Sequence, residues 1–140
     1  MLLTIAFWCF FMVAFFWMLS GVAYLFSPRL LPHHLDAIGS RWEDLPSEAR
    51  FMFLMFLKGG GAGMLAVATA LSLILFIPFR AGEPWSRWAF LTISAVGITP
   101  LFYVIYQVRE HTLSSPPWRG AVVSVILMLA GFFLSAGLGR

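Results

Sequence analysis

Charge is what this 140-residue chain has least of: 11% of its residues are Asp, Glu, Lys or Arg, against about 25% in an ordinary soluble domain. That shortage excludes a water-exposed domain of ordinary composition. With 61% hydrophobic residues and a mean hydropathy of +0.89, it places the chain in the membrane class. A single cysteine, Cys9, excludes a disulfide within the chain, and its apolar surroundings carry no redox signal. No Lys or Arg precedes Arg29, so the basic n-region of a cleaved signal peptide is missing and the first apolar segment reads as a retained span. There is no CxxC, no serine nucleophile elbow and no paired intramembrane carboxylate, which leaves an enzyme unsupported. The run Gly59, Gly60, Gly61 and Gly63 is not a phosphate loop, since it follows no strand and its lysine precedes the glycines. No fixed-period repeat occurs. The net charge of +3 is small and its cations are scattered between apolar segments, a topology signal and not a nucleic-acid surface.

What the chain has in quantity is long apolar segments. Leu2 to Phe26 is uncharged for 25 residues, longer than the roughly 20 needed to cross a hydrocarbon core of about 30 Å. Pro28 ends it, because proline disfavours helix in the residue before. Similar segments follow, and the expected spans are 2–26, 48–77, 86–108 and 119–138, separated by Pro-rich or charged breaks. Trp85, Trp88 and Trp118 sit at segment ends as an aromatic belt does. Pro100 should kink the third span. The length allows one compact unit, 1–140. The predicted fold is an all-α, antiparallel four-helix transmembrane bundle, its neighbours set by the short connections. The loops at 27–50 and 109–119 hold Arg29, Arg41, Arg50, Arg109 and Arg119. The other side holds Arg80, Arg87, Arg140 and the terminal amine, so orientation stays open.

The one long polar connection, 28–46, carries an apolar stripe of Leu31, Leu35, Ile38, Trp42 and Leu45 at helical spacing. Gly39 interrupts it, and Ser40-Arg41-Trp42-Glu43 has capping-box spacing. Two short helices lying on the membrane surface, lid-like, are expected there; an ordinary amphipathic loop is the plainer alternative.

The polar residues inside the spans suggest a site. Lys58 is a charge within a membrane-length segment, which is costly unless it finds a partner or reaches the headgroups. Ser20 and Tyr24 share a face of the first span, and Thr99, Tyr103, Gln107 and Glu110 share one on the third, beside Tyr106. Their depths match those of Lys58 and Ser124, which predicts a ligand pocket in one half of the membrane, lined by Ser20, Tyr24, Lys58, Tyr103, Gln107, Glu110 and Ser124. The Lys58 ammonium should be held by third-span oxygens. Against this stands the simpler reading that Lys58 snorkels and the tyrosines belong to the interface belt. Small residues predict close packing of the second span on the fourth, or on a partner chain, through Gly59, Gly63 and Ala66 with Gly131 and Ser135, on a face continuing to Gly139. His33, His34 and His111, with Asp36 and Glu110, have ligand types suited to zinc or iron. No HxxxH spacing supports a metal, and no cofactor is expected.

Three functions follow as expectations. The first is a non-enzymatic accessory or assembly subunit packing beside a larger membrane complex, or as a homo-oligomer. The second is a binder or carrier of a lipid-like or small amphipathic ligand around Lys58. The third is a membrane redox or metal-dependent subunit. The lipid bilayer is the common partner, and a bacterial inner membrane the expected location. In size and span number the chain resembles DoxX-like and other small four-span bacterial membrane proteins, and no residue role follows from that resemblance.

Overall fold

The computed structural model describes residues 1–112 and 114–138, and among these every regular element is helical. Helix α1 covers Leu2–Phe26 and stops at Ser27, which is extended (ψ 129°) as the residue before a proline tends to be. Helix α2, Pro32–Ile38, starts on a proline, whose missing N–H is unneeded in a first turn. It ends at Gly39, whose φ of +69° is the left-handed cap that glycine adopts freely. The next turn, Trp42–Asp44, is a single 3₁₀ turn flanked by Arg41 with no side-chain cap. The capping box expected from Ser40 does not form, because the N-cap position of the turn falls one residue later, at Arg41.

Helix α3, Ser47–Ile74, runs without a break past the glycine run. It continues through a π-turn, Leu75–Phe79, that admits Pro78, so the helical stretch is 33 residues long and passes the boundary expected at 77. A tight turn with Gly82 at φ +81° leads to α4, Trp85–His111, which contains Pro100. Helix α5, Trp118–Leu134, has 17 residues and ends before the expected 138. There Ser135 Oγ donates to the Phe132 carbonyl, and the Ala136 and Leu138 N–H groups reach back three residues in tightened turns. Gly139 and Arg140 lie outside the described residues. Three helical stretches are long and apolar enough to cross a membrane (Leu2–Phe26, Ser47–Phe79 and Trp85–His111), and Trp118–Leu134 is a shorter apolar one.

Helix α1 lies against α3 and α5, and α4 lies against the same two. The interior combines small residues with Leu71, Leu75, Met128 and a few aromatics. Phe10 stacks on Phe90 at 4.1 Å between ring centroids and meets the edge of Phe79 at 5.5 Å. Ser86, Ser94, Ser124 and Ser135 are buried, while Phe15, Phe26, Phe56, Ile126 and Phe133 face outwards. Water-soluble folds place these residue types the other way round. Small interior residues and apolar exteriors suit helices that meet one another in lipid.

The expected contact of α3 with α5 through Gly59, Gly63 and Ala66 is not made. A side-chain carbon at Gly59 or Gly63 would meet nothing within 4 Å, and Ala66 is exposed. The glycine at the contact is Gly61, two residues away and so about 200° round the helix. A carbon there would lie 2.5 Å from the Leu25 backbone nitrogen and 2.9 Å from the Gly21 carbonyl, and one at Gly21 would lie 2.9 Å from the Leu65 nitrogen. The close crossing is α1 on α3. Gly131 does face a helix, but its neighbour is the Phe10 ring of α1, 2.7 Å from where a side-chain carbon would stand. Buried Ser135 closes the end of α5 on its own backbone.

Candidate functional site

Where α2 lies, α1, α4 and α5 border a cavity of about 620 Å³ that is open on one side. Phe16 and Trp17 of α1, Ile98, Leu101 and Ile105 of α4 and Val123 of α5 form apolar walls. Polar groups come from Ser20 and Tyr24 of α1, His33 and His34 of α2, and Arg119 and Ser124 of α5. Phe16 lies eight residues before Tyr24, and Ile98 ten before Val108, which gives the cavity a depth of about 12–15 Å along the helices.

Helix α2 covers this end because both its neighbours hold it. Buried Ser114, in the segment leading to α5, donates its hydroxyl to the His33 carbonyl at 2.8 Å. The Tyr24 hydroxyl stands 3.5 Å from His33 Nε2, a long contact, and the Tyr24 ring meets His34 edge-on at 5.6 Å. The two imidazoles lie 4.0 Å apart between centroids. Burial lowers the His33 pKa, with Asp36 opposing. Burial, then the neighbouring His33, lowers that of His34 to about 4. Both rings are therefore neutral at pH 7. Nδ1 of His34 is buried without a hydrogen-bond partner among the described residues.

A pH dependence follows. In the unfolded chain His34 takes up a proton near pH 6.5, and in the folded chain only near pH 4. The unfolded state then binds more protons between these values, so stability falls as pH drops from 6.5 towards 4. Melting curves of the detergent-solubilised protein across that window should show the fall, and His34→Gln should flatten it.

The predicted site residues divide. Ser20, Tyr24 and Ser124 line the cavity; Lys58, Tyr103, Gln107 and Glu110 do not. The ammonium of Lys58 donates to the Leu25 carbonyl of α1 at 3.0 Å, not to an oxygen of α4, which corrects the expected partner. It satisfies a carbonyl in the last turn of α1, where the chain has no further N–H to offer and the helix dipole favours a cation. Gln107 Nε2 donates to the Tyr103 hydroxyl at 3.0 Å on the outer side of α4, where Tyr103, Tyr106 and Glu110 are exposed. The shared face exists, but it points outwards, because Ser94, Ile98 and Ile105 occupy the inward one. His111 Nδ1 contacts the Gln107 carbonyl at 2.9 Å, on a different helix from His33 and His34. Among the described residues no three His, Cys, Asp or Glu side chains group as metal ligands do.

Three residues that line the cavity were not legible as lining it. Arg119 read only as a loop charge, and His33 and His34 read as interfacial or metal-binding. The available signal was the stripe along 31–45, which placed this segment on the membrane surface without fixing which side chains would turn towards the other helices. Comparison with known proteins gives no match: no family model, curated protein or solved structure is significantly similar to this chain.

Proposed function

We propose that the chain is a four-span membrane protein, with both termini on one side, that binds or carries one small amphipathic, lipid-like ligand in the cavity beneath α2. The observation that carries this reading is the shape and chemistry of that cavity. Its volume of about 620 Å³ falls within the roughly 300–1,000 Å³ of small-molecule sites. Its walls are apolar along their depth, and its polar side chains gather where α2 crosses. An amphiphile has that same division. Lys58 is not the ligand's counter-charge in this reading; it fastens α1 to α3.

The assembly-subunit reading is favoured by a different observation. Gly59, Gly63 and Ala66 lie exposed on the outer side of α3. A flat face of small residues suits a partner helix, from a second copy or a larger complex.

Native mass spectrometry of the protein purified with its own lipid separates the two. Retention of about one small amphiphile per chain is expected, and Ser124→Phe, which fills the cavity from α5, should abolish it. A stoichiometric protein partner lost on Gly63→Leu, with no retained small molecule, would favour the assembly subunit instead.

A further inference from the structure

The polar end of the cavity is one-sided in charge. Its lining includes Arg119, a permanent cation, and no Asp or Glu. Arg119 is the second residue of α5, and Gly120 and Ala121, which follow it, also line the cavity. The start of α5 has no side-chain cap, and its first turn, which carries the positive end of the helix dipole, borders the cavity through Arg119, Gly120 and Ala121. His33 and His34 stand across from it on α2, each with one N–H to donate. The neutral imidazoles and the hydroxyls of Ser20, Tyr24 and Ser124 can each donate as well as accept, and Arg119 is the one fixed charge among the lining residues. A ligand whose headgroup is a hydrogen-bond acceptor with negative charge complements this set. The apolar depth below accommodates one chain.

Resting on the cavity reading above, we infer that the ligand is a single-chain amphiphile with an anionic oxygen headgroup, a carboxylate or a phosphate monoester. The headgroup lies at Arg119 and the two histidines, and the chain descends between α1, α4 and α5. Charge-assisted hydrogen bonds to a guanidinium are roughly twice as strong as neutral ones, and both headgroups take them in pairs. Discrimination against a neutral headgroup then comes from Arg119.

Trp17 lines the apolar depth and reports on occupancy. The full chain, in detergent micelles, is titrated with three chain-matched brominated probes: a fatty acid, an alkyl phosphate and a fatty alcohol. The Trp17-dependent part of the quenching is isolated by subtracting the Trp17→Phe variant. The expected result is saturable quenching by the acid, the phosphate or both, at least about tenfold tighter than by the alcohol. Which of the two acidic probes binds tighter identifies the headgroup. Arg119→Gln should remove the preference, and Arg119→Lys should keep most of it. Equal binding of acid and alcohol, or an acid preference unchanged in Arg119→Gln, would overturn the anionic headgroup while leaving a binder of neutral amphiphiles. No saturable Trp17 quenching by any probe would overturn both the headgroup and the cavity reading.

Discussion

Gly61→Leu is expected to lower the stability of the solubilised protein by about 3 kcal/mol, the upper part of the usual overpacking range. The smaller change Gly61→Ala should act in the same direction. Its methyl group would stand 2.5 Å from the Leu25 backbone nitrogen and 3.0 Å from the Tyr24 side chain. Backbone cannot turn aside as a flexible side chain can, so α1 and α3 must separate along their crossing. Gly63→Ala should have the opposite sign. That position has no neighbour within 4 Å, and replacing a mid-helix glycine by alanine favours the helix by up to about 1 kcal/mol. Thermal melts of the three variants side by side check both size and sign. A similar loss in Gly63→Ala and Gly61→Ala would contradict the α1–α3 crossing.

The second large effect is expected from Lys58→Met, at about 1.5–3 kcal/mol, the range for a hydrogen bond involving a charged group. Methionine keeps the length of the stem, so packing is nearly preserved while the Leu25 carbonyl loses its 3.0 Å donor. The loss should be local to the end of α1, read as faster proteolysis at 27–31 together with a lower melting temperature. Ligand retention should persist at temperatures where the variant is folded, since Lys58 does not line the cavity. A melting curve unchanged from that of the parent would show that the ammonium is held elsewhere.

The two predictions also mark where the sequence could and could not be read. Helix ends were legible because their causes are local: Pro28 stops α1, Gly39 caps α2 and Pro46 precedes α3. Exceptions arose where one turn adjusted to a residue, as the π-turn does for Pro78, and where α5 closed early on Ser135. Which face of each helix turns inward was much less legible. In water, apolar residues point in and polar residues out. In a chain this apolar, both faces are compatible with their surroundings, and close approach of backbones decides the matter. Gly59, Gly61 and Gly63 are chemically identical, yet only Gly61 is at the crossing. Likewise Tyr103 and Gln107 share a face as expected, and satisfy each other on the outside of α4. Which residues line the cavity was only partly legible for the same reason. Ser20, Tyr24 and Ser124, placed together by depth, border the cavity, while Arg119, His33 and His34 reach it because Ser114, in the segment before α5, ties α2 across this end.

The most direct test of the cavity compares two buried serines. Ser124 and Ser94 are both nearly inaccessible to bulk solvent, but Ser124 lines the cavity and Ser94 is sealed in the bundle, its hydroxyl without a partner among the described residues. In a Cys9→Ser background, Ser124→Cys and Ser94→Cys are each treated with a small membrane-permeant maleimide in the folded state. The expected result is prompt labelling of the Ser124→Cys variant, slowed by a bound amphiphile, and none of the Ser94→Cys variant until the protein is unfolded. An inert Ser124→Cys variant, or equal labelling of the two, would contradict a ligand-sized cavity between α1, α4 and α5.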